Sequence, residues 1–149
     1  MPTDSLVPQI LFEGPGGQDL SAHDVCFSTT AHAGIRLSDA LQGQLDDLTG
    51  RDEPAFSADT DVTAKISLRI HFLGREPYHR QITVRRSTSM AEPIALGKLA
   101  QKIAEETRAC LQGGTLEVEG RTLSLEDMYL CRLRRASKGS WQPVFYARA

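Results

Sequence analysis

The sequence predicts an α+β fold: an antiparallel sheet of about four or five strands in ββαββ order over residues 61–149, packed on one long helix, with a smaller strand-and-helix segment ahead of it. Three observations predict it. Residues 65–86, KISLRIHFLGREPYHRQITVRR, alternate apolar and polar side chains on both sides of a Gly and a Pro. Residues 96–111 carry an apolar stripe at helical spacing, and residues 116–146 return to short alternating runs. At 149 residues the chain suits a single domain, which buries roughly 70% of its unfolded surface and needs no disulfide or metal to hold a core.

The elements follow in order. Ile10, Leu11 and Phe12 form a short apolar run stopped by Gly14, Pro15, Gly16 and Gly17. A phosphate-cradling loop would need a Lys and a Ser or Thr after its last Gly, and Gln18 and Asp19 stand there instead. Residues 23–29 suggest a second short strand with Val25 and Phe27 on one side. Ser38 reads as an N-cap, and Leu41, Leu45 and Leu48 recur at helical spacing up to Gly50, so a short helix is expected near 38–49. Residues 51–61 are polar, with Phe56 placed to pin them to the core.

In the hairpin, Ile66, Leu68, Ile70 and Phe72 share one face with Ile82 and Val84. A loop of about five residues, LGREP, sets Leu68 opposite Ile82, Ile66 opposite Val84 and His71 opposite His79. After a polar link, Pro93 opens the long helix, and Leu96, Leu99, Ala100, Ile103, Thr107, Cys110 and Leu111 form its stripe. Gly113 and Gly114 end it as left-handed caps. Leu116 and Val118 turn back through Gly120 toward Leu123, and Ser124 with Asp127 makes a capping arrangement before the chain extends again. Tyr129, Cys131 and Leu133 then alternate with Leu130, Arg132 and Arg134. The turn SKGS leads to a last strand at 141–146, which Pro143 assigns to an edge or a bulge.

Charge divides the chain. Residues 1–60 hold ten acids against Arg36 and Arg51, a net −8, and residues 61–149 carry +6, which together give the formal −2. Such halves suggest an acidic segment leaning on a basic face, or a basic module with a polyanionic target. Three widely spaced cysteines, Cys26, Cys110 and Cys131, fit a reducing compartment rather than a disulfide framework. The N-terminal stretch lacks the pattern of a signal peptide, and no run approaches the length of a membrane span, so a cytoplasmic or nuclear protein with no membrane contact is expected.

The order of GREPYHRQI in the hairpin, PIALGKLAQKIA opening the helix, LSLEDMYL and finally SKGSWQP resembles an uncharacterised family of proteins from mushroom-forming fungi. Gln81, Ile82, Lys98, Leu99, Ala100 and residues 138–143 match its pattern, while Leu73 departs from a frequent Pro. The resemblance covers residues 66–145, implies a shared fold, and implies no activity, cofactor or catalytic residue.

Candidate chemistry is sparse. His23, Cys26 and His32 have a spacing that zinc tolerates, but a structural site takes four ligands, and a strand cysteine flanked by surface histidines is the simpler reading. Cys110 and Cys131 sit in apolar patterns and read as inert core thiols. No catalytic, metal or cofactor set emerges, so a non-enzymatic protein is expected. The basic side of the sheet stands out. Lys65, Arg69, His71, His79 and Arg85 share the outward face of the hairpin with Arg86 beside them, and Arg132, Arg134, Arg135 and Lys138 join them from the last hairpin. This face suits a docked protein partner. The alternative is a nucleic-acid-binding regulator with Tyr78 or Trp141 as stacking groups. RRAS and RRSTS place Ser137 and Thr88 after arginine pairs, which suits phosphorylation. An edge near Pro143 would also allow a homodimer.

Overall fold

The computed structural model describes residues 5–12, 23–30, 33–56, 64–84 and 94–148. The element order is β1 (Ser5–Leu6), β2 (Val25–Cys26), β3 (Ile35–Arg36), α1 (Leu37–Leu41), β4 (Lys65–Ile70), β5 (Tyr78–Thr83), α2 (Leu96–Cys110), β6 (Leu116–Val118), β7 (Arg121–Leu123), β8 (Met128–Arg135) and β9 (Ser140–Ala147). Gly14–Gly17, His32, Arg85, Arg86, Thr88 and Pro93 lie outside the described residues.

The body is a mixed sheet in the order β2, β8, β9, β4, β5, with β1 also on β9 and β3 also on β8. The expected antiparallel sheet of four or five strands is corrected on two points. Among the described residues the sheet has seven strands, and β4 runs parallel to β9 through Ser67↔Ser140 and Leu68↔Trp141. The two long hairpins, β4–β5 and β8–β9, are each antiparallel, and they abut with their inner strands pointing the same way.

β9 is therefore central, not an edge. Its proline is tolerated because β9 changes neighbours around it: β4 pairs with Ser140 and Trp141, and β1 pairs with Tyr146 and Ala147. In the gap, Gln9 Nε2 donates to the Pro143 carbonyl at 2.7 Å.

The β4–β5 faces are as expected, with Ile66, Leu68, Ile70, Ile82 and Val84 buried. The register is not. Ile66 lies opposite Ile82, Leu68 opposite Arg80 and Arg69 opposite His79, a slip of two residues that preserves the faces. The loop is longer because Phe72 bridges to Gln9 and then accepts from Arg75 N, with Gly74 at φ 78°. His71 and His79 consequently do not face each other.

One core joins all the layers: Trp141, Phe27, Phe72, Phe145 and Leu130 are fully buried together with the α2 stripe of Leu96, Leu99, Ala100, Ile103 and Thr107. Phe56 meets the Trp141 ring edge-on at 5.1 Å and so anchors the loop after α1. The helix near 38–49 is shorter than its leucine spacing suggests. It ends after Leu41 because Gly43 takes a left-handed φ of 75°. Arg36, not Ser38, is its N-cap residue, and Ser38 N donates to Leu125 O.

α2 begins with no side-chain cap. Its first amides are met by the preceding loop, with Leu96 N donating to Glu53 O and Gly97 N to Arg51 O, both at 2.9 Å. Gly97 has no side chain because the loop needs that space: an added Cβ would lie 3.1 Å from Leu45 Cδ1 and 3.3 Å from Arg51 O. At the other end Gln112 and Gly113 are left-handed, and Gly114 is not.

Candidate functional site: the outer face of the sheet

The sheet face opposite the core carries the side chains that the alternation turns outward, and three features organise it. The first is a strap. Residues 9–12 leave β1 and cross this face, held largely by side chains. Gln142, only 1% exposed, accepts from Phe12 N and from Arg134 Nη1 through Oε1, and donates through Nε2 to Gln9 Oε1 and Ile10 O. Gln9 Oε1 also accepts from His71 N, and Ile10 N donates to His71 O. Arg134 Nη1 reaches Phe12 O at 3.1 Å, and the Arg69 guanidinium lies 4.0 Å over the Phe12 ring while its Nε donates to Ser140 Oγ. Two of the expected basic residues are thus engaged by the chain's own N-terminal segment.

The second feature is a bulge. In β8 the pairing shifts between Leu130 and Arg132, so Cys131 and Arg132 both fall between the buried Leu130 and Leu133. On the far side of the bulge, in phase with Leu133, one expectation is overturned. Arg135 faces inward, 5% exposed, with its guanidinium 5.3 Å from the centre of the Trp141 ring and Nη2 donating to Lys138 O. It is a core group, not part of a basic face. Trp141, fully buried, is equally removed as a stacking group, and Tyr78 turns its hydroxyl to Glu106 on α2.

The third feature is a cleft of about 450 Å³ between β2 and the outer side of β8 and β9. Tyr129, Val144 and Tyr146 line it, with Cys26 and Cys131 at its side and Arg132 and Arg148 at its rim. Arg36 donates Nε and Nη2 to the Tyr129 hydroxyl, and Arg148 lies 5.7 Å from the centre of the same ring. Arg132 is 3.7 Å from Asp24, which also accepts from Arg135 N at 2.8 Å, so one acid of the acidic half does lean on the basic half. Among the described residues Arg36 and Arg148 form no ion pair. Beside the cleft, Leu6 is 56% exposed and Tyr146 37% exposed, and the two are register partners.

The remaining candidates are scattered. Lys65 is exposed at the start of β4, and Lys138 is exposed in the turn before β9. Ser137 is half-buried in that turn, its amide donating to Ser140 O, and the arginines just before it are held by the strap and by the core. His79 is exposed on β5, but partial desolvation of its ring and then Arg69 across the strand hold it below the usual histidine value of 6.5. Burial raises the Cys110 thiol, with Arg75 opposing weakly. His23 and Asp24 precede β2, Cys26 ends it, and His32, the third residue of the candidate zinc set, lies outside the described residues. Gln9, Gln142, Tyr146 and Arg148 were not singled out by sequence. Their only signal is that Gln142 and Tyr146 fall on the polar phase of the last strand.

Comparison with protein-family models finds no match, and no curated protein or solved structure is significantly similar to the chain. No described helix is long and apolar enough to cross a membrane.

Proposed function

We propose that this protein is a non-enzymatic interaction module that offers the outer face of its sheet to a protein partner, with acidic character in the docked segment. The observation that carries the reading is the apolar surface of Tyr146, Val144 and Leu6 bordered by Arg148, which no described acid pairs with, and by Arg132, which shares Asp24. Buried apolar contact supplies affinity, and unpaired guanidinium groups select carboxylates bidentately. A phosphate backbone is served less well. Arg69 and Arg134 are occupied by the strap, and neither Trp141 nor the Tyr78 hydroxyl end is presented to bases. A cytoplasmic or nuclear location and kinship with the uncharacterised fungal family belong to the same proposal.

The test is anisotropy of two fluorescein-labelled probes, an acidic hexapeptide with one central phenylalanine and a mixed-sequence single-stranded DNA. Both are titrated with the full chain at low and physiological salt. Peptide binding that persists at physiological salt supports the reading. Binding of DNA alone, lost by several orders of magnitude between about 50 and 200 mM salt, replaces it with the nucleic-acid reading.

A further inference from the structure

We propose that the cleft between β2 and the β8–β9 hairpin is the docking point itself, taking one large apolar side chain of a partner segment whose flanking carboxylates pair with Arg148 and Arg132. The inference rests on the interaction-module reading and specifies its site and its ligand.

The cleft arises from backbone features. A regular β8 would place Cys131 and Leu133 on one face and Arg132 on the other. The bulge instead sends Cys131 and Arg132 into adjacent positions facing Val144, which opens a step in the outer surface. Gly34 makes the opposite wall possible, since a Cβ there would fall 2.9 Å from Cys131 Sγ and 3.0 Å from Leu130 O, on a backbone with φ 147°. Tyr129 is held rigid at the base by Arg36 hydrogen bonds of 3.1 and 2.9 Å to its hydroxyl. A volume near 450 Å³ lies within the range of about 300–1,000 Å³ of preformed ligand sites.

Charge and shape choose the occupant. Arg148 is exposed and without an acid among the described residues, and Arg132 shares one carboxylate at 3.7 Å, so the rim retains positive charge. The apolar surface does not stop at the cleft but continues across Tyr146 to its partner Leu6. That continuity favours a chain over a free small molecule, because a segment buries both the cleft and the adjoining strip.

The experiment uses the full chain and the same labelled acidic hexapeptide at physiological salt. Arg148→Glu and Tyr146→Glu alter exposed side chains, and each is expected to weaken binding about tenfold or more. Arg108→Glu, exposed on α2 and outside the cleft lining, is expected to change it less than about twofold. Replacing the peptide phenylalanine by alanine is expected to cost about tenfold as well. Thermal unfolding of each variant confirms that the fold persists. If the peptide binds but the cleft variants bind equally well, the cleft assignment is overturned and the interaction-module reading stands. If no acidic peptide binds, both fall. If acetyl-phenylalanine amide competes as strongly as the peptide, the site is a small-molecule cleft and the proposal is overturned.

Discussion

At the residue scale, the decisive groups are those whose environment contradicts their type. Arg135 is a buried guanidinium whose backbone amide and side chain tie Asp24, Lys138 and Trp141 together. Arg135→Ala is expected to lower stability by about 2–3 kcal/mol in denaturant unfolding, well above the cost at the exposed Lys138. His79 is held below its usual value by partial desolvation and by Arg69, so the unfolded chain takes up a proton first as pH falls. Its contribution is absent above about pH 6.5 and destabilises the fold as pH drops below that value, levelling off below the folded value. His79→Gln should therefore flatten the loss of stability between about pH 7 and 5.5, measured by melting temperature against pH. The two described thiols of most contrast separate by environment: burial raises Cys110, and Cys26 is exposed, so maleimide should label Cys26 first. Sequence patterns located Val25, Phe27 and Phe56 in the core correctly, Val25 and Phe27 because they share one strand phase and Phe56 because it is the lone large apolar residue of a polar segment. Arg135 shares the phase of the buried Leu133, so its inward turn follows the alternation itself; what was not legible is the bulge at Cys131, which buries Leu130 and brings Cys131, expected in the core, to the cleft.

At the element scale, local periodicity was informative and long-range geometry was not. The α2 stripe and the faces of β4 and β5 were readable, since a shift of two residues leaves every side chain on its own face. The register itself depends on the Gln9–Phe72 bridge, which joins segments far apart in sequence. The strap is likewise built from Gln9 and Gln142, two neutral amides that carry no motif. Gln142→Ala should release it: hydrogen exchange at the Ile10 and Phe12 amides is expected to accelerate, with α2 amides unaffected. Unchanged protection would show that the β1 pairing alone holds the segment. At the helix start, Gly97→Leu would drive a side chain into Leu45 and Arg51 O, and a loss of about 1–3 kcal/mol is expected from unfolding measurements.

At the scale of the whole molecule, two antiparallel hairpins meet through one parallel contact between β4 and β9, and this joint shapes the outer face. Nothing local in the sequence encodes a parallel neighbour for a C-terminal strand, which is why an all-antiparallel sheet with part of β9 at an edge or a bulge was expected. The basic half predicted from composition is real as a count but divided in space: Arg69 and Arg134 hold the strap, Arg135 enters the core, and Arg132 and Arg148 border the cleft. The composition indicated a charged face, and only the fold shows which of its charges remain open to a partner. The most direct measurement is amide chemical-shift mapping of the labelled full chain titrated with the acidic phenylalanine peptide. The account predicts that shifts concentrate at Cys26, Arg132, Val144, Tyr146 and Arg148, around the cleft and its apolar border. Shifts confined to the exposed His79, Arg80, Gln81 and Thr83 of the β5 edge, or no shifts at all, would contradict it.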